Sequence, residues 1–284
     1  MLDGGTAAAQ CRAGMVFAVL TFPDIDPVLF QIGPFAVRWY ALAYIAGLIF
    51  ASWYMKRLVS NPKLWSGVKP SMTVPAVDEF FIWSVLGVVL GGRLGYVLFY
   101  KPLYFLSQPL DIFKVWDGGM SFHGGFLGVV IASLVYGRRI GTGLDRMLDL
   151  GAASVPVGLG LGRLANFING ELWGRAAEVP WAFVFPHDET RLPRHPSQLY
   201  EGLLEGVVLF TVIRIATHRF QALAFGGRAA GIFALGYGMS RIAVEFFREP
   251  DAHLGTFAGF ITMGMILSAP LCAVGIWLLL RSRR

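Results

Sequence analysis

Seven apolar windows follow one another along this chain, at 35–55, 80–100, 121–138, 147–168, 198–217, 229–248 and 256–280. A helix needs about 20 mostly apolar residues to cross the hydrocarbon of a bilayer. A chain that repeats such a window seven times is restricted to an all-α integral membrane protein, a bundle of seven transmembrane helices. Only 15% of its 284 residues are charged, against roughly 25% in soluble domains. That is too little charge to coat a soluble surface. The net charge of +6 therefore reads as cytoplasmic loop charge and contact with anionic lipid. No basic patch interleaved with aromatics suggests nucleic acid.

Loop cations set the orientation. Lys56, Arg57, Lys63 and Lys69 follow the first window. Arg138, Arg139 and Arg146 follow the third, Arg214, Arg219 and Arg228 flank the fifth, and Arg281, Arg283 and Arg284 end the chain. The alternate loops balance their charge, as Lys101 and Lys114 do with Asp111 and Asp117, and Arg248 with Glu249 and Asp251. The N-terminus is expected outside and the C-terminus in the cytoplasm. Residues 1–14 hold no apolar run of the signal-peptide kind. Met15 reads as an alternative start, which makes 1–14 an extension, with 15–284 one catalytic domain and 169–197 a loop region on the outer side. Cys11 and Cys272 are too differently placed to predict a disulfide, and no CxxC, HExxH or Walker A pattern points to a metal or nucleotide. No cofactor is expected.

Charged side chains inside such windows cost roughly 2.5–3.5 kcal/mol on insertion scales and mark function by default. With the orientation above, Tyr40, Arg93, His123, Arg163, Asn166, Glu201, Glu205, Arg241 and Glu245 all fall in the outer half of the membrane. They come from six windows, so the pattern predicts one site facing the outer leaflet. "GRLANFINGELWG", 162–174, places Arg163 and Asn166 on one helical face and breaks the helix at Asn169-Gly170. The planar fork of an arginine at that depth suits a lipid phosphate.

Other readings stand beside these. Arg241 and Glu245 are i, i+4 and can be a structural ion pair. Arg93, among Gly91, Gly92 and Gly95, can snorkel while the glycines allow close packing. The pairs Gly158–Gly162, Gly202–Gly206 and Gly255–Gly259 read as packing contacts. His195 reads as a cap or interface residue, and His187, His218 and His253 as loop histidines. His123, in "DGGMSFHGGFLG", opens a helix whose N-terminus disfavours imidazolium, so its neutral ring can accept a proton.

Four motifs carry a resemblance: "GRLANFINGELWGR" (162–175), "SFHGGFLG" (121–128), "RHPSQLYEG" (194–202) and "GYGMSRIAVEFFREPD" (236–251). With "FPDIDPVLFQIGPFAVRWYALAY" (22–44) they resemble, in order, the bacterial prolipoprotein diacylglyceryl transferases over roughly residues 15–280. Phe126 stands where leucine is more usual. The resemblance implies a multi-pass enzyme of the bacterial inner membrane with its active site toward the outer leaflet. It implies transfer of diacylglyceryl from phosphatidylglycerol to the lipobox cysteine of a prolipoprotein signal peptide. By motif position it implies catalytic roles for His123, Arg163, Arg241, Tyr40 and Tyr237. It also implies substrate binding by Arg163, Asn166, Glu171, Gly174, Arg241 and Glu245. His123 as the thiol's base and thiol activation by arginine alone both stay open. From the residues alone, a transporter or scramblase for an anionic lipid or small anion is the alternative.

Overall fold

The computed structural model describes residues 20–282 except 24, 34 and 251–260. The 1–14 extension, Met15, Cys11, His253 and the Gly255–Gly259 pair lie outside the described residues.

Each apolar window carries a long helix, with shifted ends. The strands β1 (Leu20–Thr21), β2 (Val28–Ile32) and β3 (Phe35–Arg38) precede α1 (Trp39–Val59). The window at 35 therefore opens four residues too early. β2 and β3 form an antiparallel hairpin turning at Gly33 (φ +58°), whose left-handed backbone suits glycine. Trp39 Nε1 donates to the Asp26 carbonyl at 3.1 Å and locks the hairpin onto the helix start. α2 (Val74–Phe99) begins six residues before its window, because Thr73 accepts the Ala76 N–H at 3.4 Å and Pro75 occupies the first turn. Asp78 in that early turn pairs with Lys56 at 2.6 Å.

α3 (Pro102–Ser107) and two 3₁₀ turns (Pro109–Phe113, Val115–Asp117) fill the next connection. α4 (Phe122–Arg139) then returns against α2. A Cβ at Gly128 would meet the Gly87 carbonyl oxygen at 1.9 Å, and one at Gly91 the Gly124 oxygen at 2.3 Å. Glycines four apart thus let the two backbones touch. Arg93 does not snorkel. It is 6% exposed and donates to the carbonyls of Ile112 (2.8 Å), Gly118 (2.5 Å), Gly119 (3.2 Å) and Asp111 (2.5 Å). Its fork organises the 111–119 turns rather than joining a site shared by six helices.

α5 (Leu144–Ile168) is followed by β4 (Phe183–Val184) and β5 (Pro193–Arg194). These pair antiparallel, and β4 runs parallel to β1. The expected 169–197 loop thus contributes two short strands to a small sheet. Fully buried Phe185 supports it, with Phe22 and Trp173 rings 5.3 and 5.7 Å away. α6 (Ser197–Glu201) passes through a π-helical stretch (Gly202–Val208) into α7 (Leu209–Arg219). α8 (Arg228–Glu245) and α9 (Met263–Arg281) close the bundle. Buried Asp149 of α5 caps α8, accepting from Gly227 N at 2.7 Å and Ala230 N at 2.8 Å.

The Gly202–Gly206 pair packs on Gly160, as a small-residue contact does, whereas of the Gly158–Gly162 pair only Gly158 meets another helix, at Gly47, and Gly162 faces open space. The largest core, with Tyr54, Leu58, Trp65, Tyr136, Met147 and Leu150, lies where α1 ends and α5 begins. Large apolar side chains such as Ile49, Ile82, Leu90, Ile131, Val207 and Ile276 remain exposed, as a lipid-facing surface requires. By length and composition, α1, α2 and α9 are long and apolar enough to cross a membrane.

Candidate active site

Arg163 comes from the last turns of α5, where the helix ends at Ile168 and Gly170 takes φ +63°. Its Nη1 lies 3.0 Å from Glu201 Oε2, and its Nη2 lies 3.2 Å from Glu205 Oε2. Both glutamates are fully buried, and the π-helical stretch begins between them. Such insertions recur at functional sites. Arg241 of α8 reaches Glu201 Oε1 at 3.0 Å and also pairs with Glu245 one turn on. Arg248 reaches the same Glu201 oxygen at 3.0 Å. Three arginines therefore converge on one buried carboxylate. Burial of a lone carboxylate would be prohibitive, and this multiple pairing offsets it.

A second group adjoins the first. Asn166 donates to Glu171 Oε1 at 2.8 Å, and Asn169 to the same oxygen at 3.4 Å. Gln198 donates to the Glu171 carbonyl at 2.5 Å. Around these groups Glu205 Oε1, Gln198 Oε1 and Asn169 Oδ1 are buried without any donor among the described residues. Native interiors seldom leave acceptors unsatisfied, so the site is built to receive hydroxyl or N–H groups. Alongside lies an apolar groove of about 390 Å³ between α5 and the π-helical stretch. Gly160, Gly202 and Gly206 border it together with Leu164, Val207 and Phe210, and Gln198 also lines it.

Gly174 enters by its backbone. It bridges Arg248, donates to the His195 carbonyl at 2.8 Å, and would place a Cβ 2.4 Å from the Phe247 oxygen. Only glycine lets this loop approach the segment that carries Arg248. Buried Arg194 tightens the same junction, donating to Asp188 at 2.5 Å and lying 3.2 Å from Glu249. Burial works to raise Asp188, but hydrogen bonds from Arg194 and Thr190 outweigh it and hold the carboxyl below its usual range. Burial pushes His195 down. Its Nδ1 meets the Tyr200 hydroxyl at 3.0 Å, so it is a junction residue and not a helix cap.

Tyr40 and Tyr44 lie edge to face, with hydroxyls 3.3 Å apart, on α1, which packs against the Arg163 helix. Tyr237 lies one turn before Arg241 on α8. His123 is exposed in the first turn of α4, edge-on to Phe122 at 5.6 Å. It forms no hydrogen bond or ion pair with the arginine network among the described residues. The structure thus assembles Arg163, Arg241, Glu245, Asn166 and Glu171, with Tyr40 and Tyr237 on helices that pack against α5. Arg248, Gln198 and Arg194 were absent from the sequence expectation. Arg248 counts there as a balanced loop charge, and its only signal is its place in "FFREPD" directly after the Arg241 helix.

Comparison with known proteins adds an independent line. The family profile described as prolipoprotein diacylglyceryl transferase matches residues 27–281. The phosphatidylglycerol–prolipoprotein diacylglyceryl transferase of Brucella anthropi is 55% identical over 268 residues, covering 94% of this chain and 95% of the relative. That of Brucella canis is 54% identical over the same shares. A match of this length takes in the arginine network, the hydroxyl-seeking acceptors and the sheet that holds them: the chain belongs to the prolipoprotein diacylglyceryl transferase family.

Proposed function

We propose that this chain transfers the diacylglyceryl group of phosphatidylglycerol to the lipobox cysteine thiol of prolipoprotein signal peptides. The enzyme would lie in the bacterial inner membrane as seven spans, with its N-terminus outside and its site toward the outer leaflet. Residues 15–284 would form the single catalytic domain. The family match favours this over transport of an anion. One observation carries the reading: paired arginines beside buried oxygens that have no donor. A phosphate flanked by a hydroxyl-rich headgroup offers what each set lacks.

In the reaction the thiolate sulfur attacks the glyceryl carbon that bears the phosphate. The carbon–oxygen bond breaks, a thioether forms, and glycerol phosphate leaves with the bonding electron pair. Negative charge grows on the leaving oxygens, and Arg163 and Arg241 stabilise it. Asn166, Glu171, Glu245 and the unsatisfied Glu205 and Gln198 oxygens hold the headgroup hydroxyls. Tyr40 and Tyr237 supply further hydrogen bonds, and Gly174 sets the loop's approach. A thiol of pKa about 8.5 is mostly protonated at neutral pH. His123 takes its proton in this reading, from an exposed position that a peptide arriving through the bilayer can reach. The apolar groove beside Leu164 and Phe210 accommodates an acyl chain.

The test uses purified protein in detergent, phosphatidylglycerol labelled in its acyl chains, and a lipobox peptide. Label is expected on the peptide and not on its Cys→Ser counterpart; no transfer with active substrates overturns the reading. With His123→Ala, a rate that is low at pH 7 and recovers at high pH supports the base role. An unchanged pH profile assigns thiol activation to the arginines, since a nearby cation can lower a thiol pKa.

A further inference from the structure

Arg163 lies thirteen residues beyond Leu150 along α5, roughly 20 Å at 1.5 Å per residue. At the Leu150 end, α1 and α7 enclose a separate cavity of about 480 Å³, lined by Tyr54, Leu58, Arg57, Arg214 and His218 among others. No carboxylate lines it. Arg57 lies over the Trp53 ring at 5.7 Å, and neither Arg57 nor Arg214 forms an ion pair among the described residues. Tyr54 is 3% exposed, stacked on Phe50 at 5.5 Å, yet its hydroxyl lacks a well-formed hydrogen bond among the described residues. Arg214 and Thr217 stand beside that hydroxyl. Two guanidinium groups and a buried hydroxyl therefore share one cavity that no carboxylate lines among the described residues.

The approach to this cavity is apolar. Ile49, Trp53 and Arg57 recur every fourth residue on α1, as do Phe210, Arg214 and His218 on α7. The α1 stripe runs from apolar to cationic toward the end of its helix, and the α7 stripe passes from Phe210 to Arg214. Ile49 and Trp53 are exposed. A ligand with a phosphate head and hydrocarbon tail matches this gradient; inorganic phosphate would use only its end.

We infer a second lipid site: the phosphate of an anionic phospholipid, from the leaflet opposite the arginine network, binds Arg57, Arg214 and the Tyr54 hydroxyl. The inference rests on the membrane placement proposed above and not on the transferase chemistry. Basic pockets between membrane helices on the cytoplasmic side bind anionic headgroups in this way.

Native mass spectrometry of the full chain in detergent, titrated with phosphatidic acid or phosphatidylcholine, tests it. Arg57→Ala/Arg214→Ala is expected to weaken one phosphatidic acid binding event by roughly tenfold or more, the loss of a charge-assisted hydrogen bond. Phosphatidylcholine binding stays unchanged, and Arg57→Lys/Arg214→Lys retains phosphatidic acid binding and so controls for folding. Diacylglyceryl transfer by the alanine variant stays at the level of the unsubstituted chain, which separates this site from the proposed active site. Equal phosphatidic acid binding by the alanine variant overturns the site. Displacement of the lipid by millimolar inorganic phosphate, lost in the same variant, overturns the lipid assignment in favour of a free anion.

Discussion

Glu201 is the residue on which the candidate site turns, because Arg163, Arg241 and Arg248 all lie 3.0 Å from its oxygens. Arg163 also spans to Glu205, using its fork to join two carboxylates that share one helix. A lysine carries the charge but not the fork. Arg163→Lys is therefore expected to lower kcat/KM for diacylglyceryl transfer by about 10²–10³, the usual cost of losing one preorganised donor to a developing anion. A rate within threefold of the parent would show that charge alone suffices. Arg163, Asn166 and Arg241 were legible in the sequence because polar groups inside apolar windows stand out. Arg248 was not, since it follows the helix and looks like loop charge until the fold brings it under Glu201. His123 differs from these: its motif and depth suggest the shared site, and among the described residues its exposed imidazole forms no hydrogen bond or ion pair with the network.

At the scale of elements, helix existence was legible and helix ends were not. "FAVR" at 35–38 is apolar enough to extend a span but pairs as β3. α2 starts at a Thr73–Pro75 signal that its charged first turns, Asp78 and Glu79, disguise. The sheet after α5 depends on β1, more than 160 residues away in sequence, which local pattern cannot show. This sheet and the 174–175 loop act as a latch on the segment carrying Arg248. Gly174→Ala drives a methyl into the Phe247 carbonyl and is expected to destabilise the latch by about 1–3 kcal/mol. Hydrogen exchange at 172–176 should accelerate, with a parallel loss of transfer activity. The latch also depends on pH. Asp188 and His195 both have folded pKa values below their unfolded ones. Each contributes stability that is complete above its unfolded value and lost as pH falls. Protection in the latch is expected to decline below about pH 6.5 through His195, and again below about pH 4 through Asp188. Asp188→Asn should abolish the lower step and spare the upper one.

For the whole molecule, the loop charges and the position of the arginine network make one joint claim. If 56–69 faces the cytoplasm, the end of α5 and its sheet face outward. Single cysteines at Ser60 and Glu178, in a chain without Cys11 and Cys272, are expected to react with a membrane-impermeant maleimide from opposite sides. Glu178→Cys should label in intact spheroplasts and Ser60→Cys only after lysis. The same side for both overturns the topology. The arginine network has a kinetic consequence as well. Its three arginines are ion-paired with three glutamates, so each guanidinium already has a carboxylate partner. An arriving phosphodiester must take guanidinium contacts from a resident carboxylate. After the carbon–oxygen bond breaks, the same carboxylates compete to take them back. The protein thus carries its own displacing anion, which limits how tightly a doubly charged product can linger and keeps the arginines available for the next lipid.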